Sequence, residues 1–250
     1  MPSLATQLIV FEGHVVFEDN PDLVLAAAAA AGFAAVETQL KDATRLRDRL
    51  TAHGLKHAAI HVTASQLQEP QPWIDYLGIT GARDVCNSGL LHWNQRTQAD
   101  HDATADLLNR AGRVFRAAGI RLHYHNHDFE LIEKPVPNQI SLEYLLTRFD
   151  PAAVDLCVDV AWLHRAGIAP AEFLRLHASR IGYLHIKDWD GKNWVPPGTG
   201  EIDLASVTAV LPQLSQVGWV ACEQDNTTGN PADCLRQARV WCREKIPAIK

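Results

Sequence analysis

Between Arg121 and Leu131 the chain reads Arg-Leu-His-Tyr-His-Asn-His-Asp-Phe-Glu-Leu. In an extended segment side chains alternate, so His123, His125 and His127 would share one face. Three imidazoles on one face suit metal ligation or proton transfer. The plainer alternative is a polar strand end whose histidines bond to their neighbours. Downstream, Asp159, His185 and Glu223 each follow a short apolar run. With His125 they give the sharpest expectation: four residues, on the fifth to eighth strands, converging on one divalent ion. Mixed imidazole and carboxylate ligation with open positions suits Mn as the first expectation, with Co, Zn, Fe or Mg as further candidates. Against it stands the reading in which Asp159 and Glu223 cap loops and His185 is a satisfied core histidine.

The elements that must position these residues repeat along the chain as a helical run, a Gly, a short apolar strand and one polar side chain. Helix 22–31 ends at Gly32, and the strand 33–36 delivers Glu37. Helix 42–53 ends at Gly54, and 55–60 delivers His61. After Gly81, 82–86 delivers Asn87; the long helix of about 95–118 ends at Gly119 and leads to His125. Runs 153–158, 181–184 and 219–222 deliver Asp159, His185 and Glu223. With 7–11 as the first strand there are eight. Gly after a helix supplies a left-handed C-terminal cap, and strands alternating with helices pair in parallel. The 186 positions from Glu37 to Glu223 hold six repeats of about 31 residues. The expectation is an α/β fold, a single (β/α)8 TIM barrel over residues 1–250, with its site at the C-terminal strand ends. No Gly-rich phosphate loop follows the first strand, which disfavours an open doubly wound sheet.

Composition narrows the partners. The chain has 250 residues, 47% hydrophobic and 21% charged, enough for a large core. Its net charge of -6, without a run of Lys or Arg, gives no footprint for nucleic acid or an anionic membrane. Five cysteines without a CxxC pair read as buried thiols in a reducing compartment. The first residues lack a basic segment leading into an apolar one, and the apolar run 24–31 is too short to cross a bilayer. The expectation is a cytoplasmic protein with a small-molecule partner; the oligomeric state stays open.

Five ordered segments carry a resemblance: YHNHDFE (124–130), DVAWLHRAG (159–167), HIKD (185–188), PGTGEID (197–203) and EQD (223–225). Together they resemble the sugar phosphate isomerase/epimerase family, the xylose isomerase-like barrels. That group includes inosose dehydratases, hydroxypyruvate and tagatose-type enzymes and type IV apurinic endonucleases. The resemblance covers nearly the whole chain and implies a metal held by a strand-five Glu, an Asp, a His and a strand-eight Glu. Asp159, His185 and Glu223 match those positions. The strand-five Glu falls on His125, with Asn126 and His127 following as in the family's Glu-Asn-His. This departure lowers the negative charge around the ion from three to two. It also puts in doubt a symmetric two-Glu proton shuttle, leaving His127 as one acid or base and Glu223 as the other.

The implied chemistry is proton abstraction next to a carbonyl, with an ion stabilising the enediolate that forms. Lys187 would share the face of His185 and stabilise the enediolate or protonate a departing hydroxyl; pairing with Asp188 or Asp225 is the alternative. Glu37, His61 and Asn87, from their strand ends, are expected to bond substrate hydroxyls. Glu130 is a substrate contact or a rim salt bridge, and Trp162 and Trp189 stack on a sugar or pack at the mouth. His164 reads as a helix-surface residue and Cys157 as core. The leading expectation is a metal-dependent isomerase or epimerase of a keto sugar or related polyol. An inosose dehydratase-like lyase is second, a non-catalytic sugar-binding barrel third. An endonuclease lacks its basic groove and larger ligand set.

Overall fold

A computed structural model describes residues 2–246. Eight strands close into one parallel barrel: β1 (Ser3–Gln7), β2 (Ala35–Glu37), β3 (Lys56–Thr63), β4 (Asp84–Ser88), β5 (Arg121–His125), β6 (Val154–Asp159), β7 (Ile181–Ile186) and β10 (Trp219–Cys222), in the order β1-β10-β7-β6-β5-β4-β3-β2. β8 (Asp188–Trp189) and β9 (Trp194–Val195) form an antiparallel pair after β7. The helices are α1 (Pro21–Ala31), α2 (Ala43–Ala52), α3 (Gln71–Thr80), α4 (Gln98–Ala117), α5 (Phe129–Ile132), α6 (Ser141–Arg148), α7 (Val160–Arg165), α8 (Pro170–Leu176), α9 (Leu204–Val210) and α10 (Pro231–Lys245). The expected (β/α)8 barrel is therefore the fold. Among the described residues no helix is long and apolar enough to cross a membrane.

The glycine punctuation works as the repeat implies. Gly32 and Gly81 close α1 and α3 at φ 93° and 86°, a left-handed turn that a β-carbon would strain. One strand differs from expectation. Residues 9–11 are apolar yet form a 3-10 turn, and the first strand is Ser3–Gln7. The side chain of Gln7 accepts the Ile9 amide and ends the strand there. Val10 and Phe11 then bury themselves in the helical layer.

Two cores result. The larger packs Leu, Val, Ile and Phe between sheet and helices; a smaller one inside the barrel uses Ala5, Ala35, Ala59, Cys86, Cys157, Tyr183 and Ala221. Small side chains there leave space for polar residues above and below. A register shift between Leu156 and Cys157 places an extra residue, Gly182, in β7. A β-carbon at Gly182 would lie 2.0 Å from Arg121 Nη2 and 2.6 Å from the His123 ring. The bulge lets Tyr183 and His185 point into the barrel.

Candidate active site

β5 alternates as its sequence suggests. His123 and His125 point into the barrel, and His127 continues the row just past the strand, its ring 4.8 Å from that of His125. The three have different partners. His123 sits lower, bonded through Nε2 to Asp84 at 2.7 Å, and does not reach the strand ends. His125 and His127 both face Ser88 Oγ, at 3.4 and 3.3 Å. Asn126 points the other way and clamps β5 to the end of β6. Its Oδ1 accepts the Asp159 amide at 2.9 Å and its Nδ2 donates to the Asp159 carbonyl at 3.3 Å.

Asp159 begins α7, and its Oδ1 accepts the amides of Ala161 and Trp162 at 2.8 and 3.3 Å. Oδ2 is left facing the barrel axis, 3.7 Å from His125 Nε2 and 3.4 Å from Lys187 Nζ. From β7, His185 turns Nε2 to Glu37 at 2.9 Å and Nδ1 to Glu223 Oε2 at 2.5 Å. Four buried atoms, His125 Nε2, Asp159 Oδ2, His185 Nδ1 and Glu223 Oε2, make no well-aligned hydrogen bond, although His185 Nδ1 and Glu223 Oε2 lie 2.5 Å apart. Ligand atoms of these four residues lie within 4.8 Å of one another. Buried polar atoms are rarely left unmatched. Four together, two nitrogen and two oxygen, fit a divalent cation of the Mn, Co, Zn or Fe type.

The charge state supports ligation. Burial pulls His125 down to about 3, against the opposing contact with Asp159, so its imidazole is neutral with a lone pair to offer. Burial raises Asp159 and Glu223, but the Lys187 ammonium together with His125 at Asp159 and His185 at Glu223 outweighs it and holds both below the usual carboxylate range. His185 is pushed up despite burial, by Cys157, Glu37 and Glu223. Its proton must leave when Nδ1 ligates an ion.

Lys187 is fully buried. Its Nζ donates to Glu223 Oε1 at 3.0 Å and to Asp225, and it lies 4.9 and 4.3 Å from the ring centres of Trp162 and Trp194. Burial lowers its pKa, yet Glu223, Asp159 and Asp225 raise it overall, so it stays an ammonium and is a poor proton donor. Asp188, the other expected partner, is occupied elsewhere: it accepts the amides of Gly198, Gly200 and Ile202 and shapes the loop 197–203.

Glu37 is buried between two imidazoles, His61 Nδ1 at 2.8 Å and His185 Nε2 at 2.9 Å. Burial opposes its charge, but those imidazoles win and hold the carboxylate ionised. A carboxylate on the far nitrogen of a ligand histidine fixes its tautomer and raises its basicity. Glu37→Gln is expected to weaken divalent-metal binding by 10–100-fold, read by manganese titration with electron paramagnetic resonance. Unchanged affinity would show that Glu37 does not orient His185.

The cavity at these strand ends measures about 430 Å³ and is lined by Gln7, Ile9, His61, Ser88, His125, His127, Trp162, Glu223 and Asp225. A second cleft, about 550 Å³, shares Gln7 and His61 and reaches Glu37. Three expected substrate contacts are placed differently. Asn87 points outward and donates to the Gly89 carbonyl at 3.0 Å; its neighbour Ser88 takes the inward place, because side chains alternate and β4 runs one residue further. Glu130 is buried beneath the site, accepting Tyr124 Oη at 2.8 Å and the His127 amide at 2.7 Å. Trp189 packs on Trp194 and beneath the Arg165 guanidinium at the mouth. His164 meets Glu201 on the surface. Gln7, Ile9 and Ser88 escaped the sequence reading, and Asp225 entered it only as a pairing partner for Lys187, which it is, not as a residue of the cavity.

A family model described as a xylose isomerase-like TIM barrel matches residues 25–245. The chain belongs to that family. Among curated proteins, an inosose dehydratase from Geobacillus kaustophilus (strain HTA426) is 27% identical over 267 residues, covering 88% of this chain and 85% of its own. Another, from Bacillus cereus (strain AH820), is 28% identical over 170 residues, 60% of this chain and 56% of that protein. Solved structures extend the fold match. A sugar phosphate isomerase/epimerase from Parabacteroides distasonis ATCC 8503 superposes with a TM-score of 0.81 at 19% identity, covering 100% of this chain and 96% of that one. An IOLI protein with a binding zinc atom gives 0.76 at 15%, covering 99% of each. A D-allulose 3-epimerase from Methylomonas sp., in complex with D-allulose, gives 0.77 at 16%, covering 98% and 97%.

Proposed function

We propose that this chain is a divalent-metal-dependent lyase that takes the proton next to the carbonyl of an unphosphorylated keto polyol of the inosose kind and then eliminates water. The observation that carries it is the convergence of four buried atoms without a well-aligned hydrogen bond, from His125, Asp159, His185 and Glu223, of which His125 and Glu223 line the cavity. A divalent ion held there would polarise a substrate carbonyl and acidify the neighbouring carbon. Glu223 is the base: it is ionised, lines the cavity and is held by Lys187 on one oxygen. Lys187 offsets the charge that develops on the substrate oxygen, as a fixed ammonium rather than as an acid. His127 faces the same cavity from the wall of β5, 3.3 Å from Ser88, where an imidazole can return a proton to the leaving hydroxyl. Trp162 supplies an apolar wall. No Arg lines the cavity, and the Lys187 charge is engaged by three carboxylates, which supports an uncharged substrate.

Isomerisation or epimerisation shares the first step and is the second reading. Epimerisation removes a proton from one face and returns it on the other, a task for two like bases. Here Glu223 is a carboxylate, while the corresponding strand-five position holds His125, buried and neutral. That asymmetry, with the two inosose dehydratase relatives, favours elimination.

Proton NMR in deuterated buffer, with purified protein, manganese and a panel of inososes and ketoses, tests the reading. The expected result is an unsaturated or deoxy-diketo product from an inosose. Deuterium entry beside the carbonyl with every hydroxyl retained would overturn elimination in favour of the isomerase reading. Neither change, on any substrate, would sink the shared first step.

A further inference from the structure

All five cysteines are buried and unbonded. Two pairs stand out. Cys86 and Cys157 face each other inside the barrel beneath His185, within the polar network already described. Cys222 and Cys242 lie outside it. Cys222 ends β10, directly before Glu223, and Cys242 is in the last turn of α10. Their Sγ atoms are 3.1 Å apart, nearer than the roughly 3.5–4.0 Å at which even two carbon atoms rest. The pair joins the last barrel strand to the helix that covers it.

We propose that Cys222 and Cys242 are a modification site, closing to an intramolecular disulfide when the protein meets a low-molecular-weight disulfide. The sulfurs need to approach by only about 1 Å to reach bonding distance. One cysteine, as thiolate, attacks a sulfur of the small disulfide, forming a mixed disulfide and releasing one small thiolate. The second cysteine, as thiolate, attacks the protein sulfur, forming the Cys222–Cys242 bond and releasing the other. The two protein thiols lose two electrons and two protons; the small disulfide gains both, leaving as two thiols. Both sulfurs are buried, so attack on a small disulfide requires local opening of α10 and closure is slow. The closed loop runs from residue 222 to 242 and contains Glu223 and Asp225, so oxidation fastens both ends of the segment that borders the cavity.

Cys234 provides the internal control. It is also on α10 and lines a small gap with Cys222, yet the paired sulfurs are those of Cys222 and Cys242. The experiment incubates the full chain with oxidised glutathione, quenches free thiols with an alkylating agent and maps unreduced peptides by mass spectrometry. The expected result is loss of two of the five thiols, a single linked peptide pair carrying Cys222 and Cys242, and reversal by dithiothreitol. The unfolding midpoint should rise by roughly 5–10 °C, from a closed loop of about 20 residues. In Cys242→Ser, and independently in Cys222→Ala, both the link and the rise should be lost. Five thiols persisting after prolonged exposure, glutathione adducts without a link, or a link through Cys234 would each overturn the proposal. Mapping the unsubstituted chain decides it even where a variant fails to fold.

Discussion

Replacing Glu223 by Gln lowers turnover by roughly 10²–10⁴-fold and leaves the barrel folded. The amide keeps the shape of the side chain and still accepts from Lys187 Nζ, which lies 3.0 Å from Oε1. It can neither take a proton nor bring negative charge to His185 Nδ1, 2.5 Å from Oε2. Two losses therefore coincide: the base, and one anionic contribution to ion binding. Steady-state kinetics at saturating manganese separates them, since added metal restores occupancy but not basicity. Asp225→Asn serves as the comparison. Asp225 also lines the cavity and also meets Lys187, but it has no contact with His185. Its substitution should cost less turnover than that at Glu223. A Glu223→Gln protein within tenfold of normal turnover at saturating metal would remove Glu223 from the role of base.

The barrel was legible because its punctuation is local. Gly32 and Gly81 each mark a helix end, and apolar runs mark the strands that follow. The set His125, Asp159, His185 and Glu223 was legible for the same reason, each lying within one residue of its strand's end. What depended on phase was not. Whether Asn87 or Ser88 faces inward turns on where β4 begins and ends, and a slip of one residue exchanges the faces. Glu130 read as a substrate contact or a rim salt bridge because nothing in YHNHDFE shows that α5 folds back, burying its carboxylate against Tyr124 and the His127 amide. The run 9–11 is more apolar than Ser3–Gln7 and was the natural first strand. The bond from the Ile9 amide to the Gln7 side chain, two residues back, is a local hydrogen bond that hydrophobicity does not encode. Gln7 and Ile9 reach the cavity only because of that turn.

Lys187→Met should be the most destabilising of the substitutions, and its cost should depend on metal. In the native barrel one ammonium, without solvent contact, serves Asp159 Oδ2 at 3.4 Å, Glu223 Oε1 at 3.0 Å and Asp225. Met fits the aromatic surroundings of Trp162 and Trp194 but leaves Asp159, Glu223 and Asp225 with only the His185 imidazolium, shared with Glu37, as counter-charge. Removing one partner of a buried ionic group costs about 3–5 kcal/mol. For a chain of this size that lowers the metal-free unfolding midpoint by roughly 10 °C. A divalent ion held by the neighbouring His125, Asp159, His185 and Glu223 would restore positive charge beside the same carboxylates. Manganese should accordingly raise the midpoint of Lys187→Met by more than that of the native chain. Turnover should stay depressed by about 10²–10³-fold even when loaded, because the ammonium that offsets charge on the substrate is gone. Scanning calorimetry of both proteins, stripped and manganese-loaded, reads the stability half of this argument, and steady-state kinetics the other. A stripped variant as stable as the native chain would mean that the three carboxylates shed their charge by taking up protons, and Lys187 would then lose its part in holding Asp159 and Glu223 ionised.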